Sequence, residues 1–326
     1  MFVIIYFAAI GVLSTDGCYI AEPTGRAAEF SIRVARNKVV EAGLCAVIPC
    51  AFTYPHSLVQ DPYKRVWFKG DPLNPTVEIP YSEPGEIALQ PNERSCSIVI
   101  NDLVEGENDG EYGFKLEWGA HQTYIFPERV RVSVTALSKK PSLHIPRLMV
   151  GQPVTLSCEA PGRCSGATPD ITWELNGLPQ RATPGNIMTS TGEVTYFSEM
   201  LFIPKAKHHN TSVTCRVLFK GNVTTEITRT LTVNYRPRIL SSSGCAVQQG
   251  ITTCICISEG VPLPVIDWNM PEAKTGKNSV MMAESSHTMI KSTIILPSSN
   301  TPITKAVCVS KNAVGVRMMT METDKQ

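Results

Sequence analysis

The chain has 326 residues, with 30 Lys and Arg against 29 Asp and Glu and a net charge of +1. At roughly 100–150 residues per domain that length calls for two or three domains; 43% apolar against 18% charged residues excludes wholesale disorder, and a near-neutral balance without a basic cluster excludes an electrostatic footprint for nucleic acid. The 11 cysteines point to an oxidising compartment with one or two bridges per domain.

Met1–Leu13 (MFVIIYFAAIGVL) is apolar over signal-peptide length and runs into Ser14-Thr15-Asp16-Gly17. Thr15 and Gly17 satisfy the small-residue rule for cleavage after Gly17. A membrane span needs about 20 apolar residues, and neither this run nor a later one reaches that length. The expectation is a secreted form or an ectodomain fragment, with residues 1–17 as signal peptide.

Beyond it, short alternating runs (VVEAGLCAVIPCAF, SCSIVI, RVRVSVTAL, VTLSCEA, TRTLTVNY, STIILP) are separated by Pro, Gly, Asn and Asp turns, and no helical period competes. A Cys on an apolar run with a Trp downstream recurs as Cys50…Trp67, Cys158…Trp173…Cys215 and Cys256…Trp268…Cys308. That spacing is the signature of immunoglobulin sandwiches, where the Trp packs on the bridge between sheets. It predicts an all-β chain of tandem immunoglobulin-like sandwiches: a V-type domain over 18–137, a C2-type domain over 138–234 and a further Ig-like domain of C2 or I type over 235–326. Linkers are expected near Ser138-Lys139-Lys140-Pro141 and Tyr235-Arg236-Pro237.

The first unit departs from the pattern. Its late strand reads Asn108-Asp109-Gly110-Glu111-Tyr112-Gly113-Phe114, so Tyr112 holds the tyrosine-corner position and Phe114 stands where the second bridging Cys belongs. Cys50 then needs another partner, and Cys96 on SCSIVI is the available one, within a single sheet. Cys45 and Cys164 are each left unpaired inside their own unit, and the simplest solution joins them across the linker. Glu86 and Asn108 replace a common Arg–Asp pair together, which leaves no lone buried charge. The second unit carries glycosylation sequons at Asn210-Thr211-Ser212 and Asn222-Val223-Thr224. In the third, Cys254 and Cys256 share one strand face; Cys256 fits a bridge to Cys308, and Cys245 with Cys254 flanks the turn Gln248-Gln249-Gly250 as a hairpin bridge. Cys18 is the odd one.

Enzyme chemistry finds no support. His56, His121, His144, His208, His209 and His287 lack metal-ligand spacing, there is no Cys-x-x-Cys pair, and phosphate-binding and dinucleotide motifs are absent. No metal and no cofactor is expected.

GLCAVIPC (43–50), ERSCSIVI (93–100), DGEYGF (109–114) and LSCEAPGRC (156–164) resemble the Siglecs, the sialic-acid-binding immunoglobulin-type lectins, over residues 19–234. The second-domain cysteines and residues 117–128 look most like the myelin-associated glycoprotein branch. The resemblance implies Cys45–Cys164, Cys50–Cys96 and Cys158–Cys215, in agreement with the pairing read from the residues. It also implies a receptor on the extracellular side of the plasma membrane whose first domain binds sialylated glycoproteins or glycolipids. In that family an Arg after a Tyr-x-Phe-like triplet binds the sialic acid carboxylate; here Lys115 follows Tyr112-Gly113-Phe114. Lys keeps the charge and loses the planar two-donor fork, which weakens binding by about 1–3 kcal/mol. Tyr124, nine positions on, takes the place of the aromatic that stacks on the glycerol chain, with the backbone of Thr123 and Ile125 beside it. Ser31, next to Phe30, falls where an N-terminal Trp contacts the N-acetyl group. The alternative is a protein-binding adhesion or decoy receptor, using homophilic or heterophilic Ig contacts, that has lost sialic acid binding.

Overall fold

The computed structural model describes residues 29–59, 61, 63–80, 93–190, 192–270, 280–296 and 305–322. Residues 1–17, Cys18 and Glu86 lie outside the described residues. The strands of the first unit are β1 (Ser31–Val34), β2 (Asn37–Glu41), β3 (Ala46–Ile48), β4 (Cys50–Thr53), β5 (Tyr63–Asp71), β6 (Asn74–Pro80), β7 (Arg94–Ser95), β8 (Ile98–Ile100), β9 (Gly110–Trp118) and β10 (Gln122–Thr135). Among the described residues the front layer is a five-stranded sheet in the order β2-β10-β9-β5-β6, and the back layer combines β1-β4-β7 with β3-β8. A register shift lies in β10 between Ile125 and Arg129. Beyond it the strand runs parallel to β2, with Arg131 beside Asn37.

Alternation along β9 sends Tyr112, Phe114 and Leu116 inward, all fully buried or nearly so. Phe114 fills the space between sheets that a bridging Cys would occupy, its ring centroid 5.2 Å from Phe52, 5.6 Å from Trp67 and 5.4 Å from Phe126. Such ring contacts add about 0.5–1.5 kcal/mol per pair beyond the area they bury. The Cys50–Cys96 bridge stays within the back layer, where Cys96 N also donates to Cys50 O at 2.9 Å. Trp67 donates its indole N–H to Cys96 O at 2.7 Å, so the tryptophan still packs at a bridge although the bridge has moved. Tyr112 donates to Asn108 O at 3.1 Å, and Asn108 Oδ1 accepts from Val104 N at 2.7 Å. Hydrogen bonds close this turn.

The second unit has one sheet of Ser142–His144, Val154–Glu159, Val194–Phe202 and Thr183–Met188, and another of Leu178–Gln180, Asp170–Leu175, Ser212–Leu218 and Thr224–Thr230. Cys158–Cys215 spans them beside Trp173, whose indole donates to Ser198 Oγ at 3.1 Å. In the third unit Cys256–Cys308 lies beside Trp268, and Cys245 is joined to Cys254 directly across the hairpin.

Cys45–Cys164 crosses between the first and second units. Around it Asp102 Oδ1 accepts from Ala167 N at 2.9 Å, and Glu41 accepts from Ser138 N, Ser138 Oγ and Lys139 N at 2.8–3.0 Å. The junction to the third unit is one strand, Val233–Ile239, which pairs with Leu148–Met149 before it and Ile251–Val261 after it. Tyr235-Arg236-Pro237 is therefore strand rather than free linker. Among the described residues no helix is long and apolar enough to cross a membrane.

Candidate functional site on the front sheet

Strand pairing decides which side chains share the outward face. Lys115 pairs with Val66 of β5 on one side and with Ile125 of β10 on the other, and Thr123 pairs with Glu117. All of these point away from the core occupied by Phe114 and Leu116. Lys115 is nevertheless covered: only 9% of its side chain is exposed. Its Nζ lies 2.6 Å from Glu78 Oε1 on β6 and 2.9 Å from Glu117 Oε1 on its own strand. Burial by itself would lower the Lys115 pKa, but the hydrogen bonds and charges of Glu78 and Glu117 outweigh it and hold the pKa above the ordinary lysine value. The ammonium is thus fully charged and already paired, in a cluster of one cation and two carboxylates. Glu78 is the nearer and the more exposed partner, with 51% of its side chain exposed against 34% for Glu117.

Tyr124 sits differently. It pairs with Leu116, on the core side of the sheet, whereas Ile125 is the residue opposite Lys115. Its ring stacks on Phe30 at 3.7 Å between centroids and meets Phe126 edge-on at 5.0 Å. Ser31 is exposed and shares a hydrogen bond with Thr53 Oγ1 at 2.8 Å. Phe30 rather than Ser31 is therefore the N-terminal residue that meets the Tyr124 ring. Trp118 closes the same aromatic end of the sheet, and its indole nitrogen is buried without a partner among the described residues. So the structure groups Lys115, Ile125, Thr123 and Glu117 on one face and Tyr124, Phe30 and Trp118 on the other. Asn210 and Asn222 both lie exposed at turns of the second unit.

A model of the CD80-like C2-set immunoglobulin domain matches residues 141–221. Human sialic acid-binding Ig-like lectin 5 is 30% identical over 230 residues, 65% of this chain and 40% of that protein. Human sialic acid-binding Ig-like lectin 10 is 32% identical over 231 residues, 65% of this chain and 32% of that protein. Chimpanzee sialic acid-binding Ig-like lectin 12 is 28% identical over 255 residues, 73% and 41% of the two chains. Over about two thirds of its length the chain is similar to sialic acid-binding Ig-like lectins. It spans less than half the length of these three relatives.

The surroundings of Lys115 carry signals that spacing alone left unread. Glu117 stands two residues along the same strand, hence on the same face, and is visible in the sequence once β9 is recognised. Glu78 arrives from the β5–β6 hairpin, whose register shifts between Lys69 and Gly70, and nothing local announces it. Arg129 was missed as well. It follows the register shift in β10 and lies over the ring of Phe68, its Cζ 5.0 Å from the centroid.

Proposed function

We propose that the chain is the recognition part of a Siglec-type adhesion receptor on the extracellular side of the plasma membrane. It meets sialylated glycoproteins or glycolipids with the outward face of its first domain. Two things support this: the relatives whose names declare sialic acid binding, and a cation, Lys115, at the position where the family resemblance expects one.

The observation that shapes the reading is the pairing of Lys115 Nζ with Glu78 and Glu117. A sialic acid carboxylate reaching this ammonium exchanges one carboxylate for another, so the net gain from a charged hydrogen bond, about 1.5–3 kcal/mol, is largely cancelled by the one broken. Lys115 thus contributes less than its charge suggests, over and above the missing fork. The same pairing, with Tyr124 turned to the core side, favours the second reading, a protein-binding Ig receptor without sialic acid recognition. The test is binding of the soluble chain to cells before and after sialidase. A clear fall after treatment is expected; equal binding would replace the lectin reading with the protein-binding one.

A further inference from the structure

Past the register shift in β10, Arg129 and Arg131 stand on the outward face with Lys115, opposite Gly113 and Glu111 of β9. Together with Arg36 they line a cleft of about 510 Å³. The cleft is lined by these three arginines and by Glu111 and Glu128, and among the described residues none of the three makes an ion pair. The Lys115 cluster has the opposite balance, one cation to two carboxylates. An anion approaching this face is disfavoured at Lys115 and favoured at the cleft.

Arg129 is held in advance. Its Nη1 donates to the carbonyl of Phe126 and, at 3.2 Å, to that of Glu128. Its guanidinium also occupies the space of a missing side chain: a Cβ on Gly113 would lie 2.9 Å from Arg129 Cζ and 2.5 Å from the Phe68 ring. One nitrogen and one face of the guanidinium are thus fixed. Nε and Nη2 make no hydrogen bond to described residues, and they form the edge that a carboxylate or sulfate accepts side-on through two parallel bonds. Arg36 and Arg131 are exposed and flank it.

We propose that this cleft is an anion subsite for an acidic saccharide, with Arg129 supplying the fork for its carboxylate or sulfate and Arg36 and Arg131 the flanking charge. The proposal rests on the recognition of acidic glycans put forward above, but not on Lys115. A side chain whose plane is already fixed loses less freedom on binding, and a fork held over an aromatic ring supplies the geometry that lysine lacks.

The test titrates the whole chain with sialyllactose and, separately, with a sulfated oligosaccharide free of sialic acid. Wild type is compared with Arg129→Lys, Arg131→Ala and Lys115→Ala. Arg131 is exposed and Arg129→Lys keeps a stem over Phe68, so the fold survives both, which thermal melts check. Each is expected to weaken binding about tenfold, the loss of a charge-assisted hydrogen bond, a larger loss than Lys115→Ala gives. Binding of the sulfated probe alone, lost in Arg131→Ala, keeps the subsite and removes the sialylated reading. Sialyllactose binding that Lys115→Ala abolishes and the arginine variants leave intact overturns the subsite and keeps that reading. Absence of binding to either probe also overturns the subsite, and the sialidase experiment then judges the receptor reading separately.

Discussion

Asp109 shows how much one carboxylate can organise in the turn that leads into β9. It accepts from Val134 N at 2.8 Å and Gly106 N at 2.7 Å, and those bonds, the one from Val134 first, hold its pKa below the ordinary carboxylate value. A folded pKa below the unfolded one adds stability above the unfolded value of about 3.9, and that stability is lost as pH falls through the folded pKa. Asp109→Asn should therefore melt at a lower temperature than wild type near neutrality, and the two curves should converge in strong acid. Equal melting temperatures near neutrality would contradict this. Residues of this kind are only half legible in a sequence. The stretch from Asn108 to Phe114 announced the turn and the absent cysteine, yet the partner of Asp109 sits 25 positions away on β10. Lys115 was legible as a cation in a known position. Its neutralisation by Glu78 was not, because that contact depends on a hairpin register shift.

At the scale of elements, faces matter more than spacing. Counting nine residues from Lys115 gives Tyr124, but a count along the chain does not say which side of a sheet a residue occupies. The β9–β10 pairing says so: Lys115 opposes Ile125, so Tyr124 opposes Leu116 and joins the core-side aromatics. A slip of one residue in that register would exchange the two faces entirely. The inward set of Tyr112, Phe114 and Leu116 was legible from alternation alone. The outward set was obscured because β9 is buried on both faces through most of its length, with Gly113 under Phe68 and Arg129, and Lys115 under two glutamates. A glycine in mid-strand is itself a sign of close approach by a neighbour, and here it marks the seat of Arg129.

Across the whole molecule, the bridge between the first two units is one of several ties. Were Cys45–Cys164 the sole tie, the units would swing once it was lost. The structure adds the Asp102–Ala167 bond, the Glu41 carboxylate on Ser138 and Lys139, and the Thr225 hydroxyl donating to Lys139 O at 2.8 Å. Leu44 seats against Gly162 and Phe219 against Gly43, two glycines at positive φ where a side chain would collide. Replacing both Cys45 and Cys164 by Ser should cost about 2–4 kcal/mol while small-angle scattering finds the same interdomain shape; an enlarged radius of gyration would show that the bridge alone sets the angle. Those ties hold the front sheet in a fixed direction relative to the second unit. The central claim is that Glu78 silences Lys115, and the most direct measurement is a sialoside titration of the whole chain as wild type and as Glu78→Gln. Gln keeps the shape and Glu117 keeps one partner on the ammonium, so the fold should hold while the charge balance at Lys115 moves from net negative to neutral. Affinity should then rise several-fold, with a steeper loss on adding salt. Unchanged affinity in Glu78→Gln would contradict the claim.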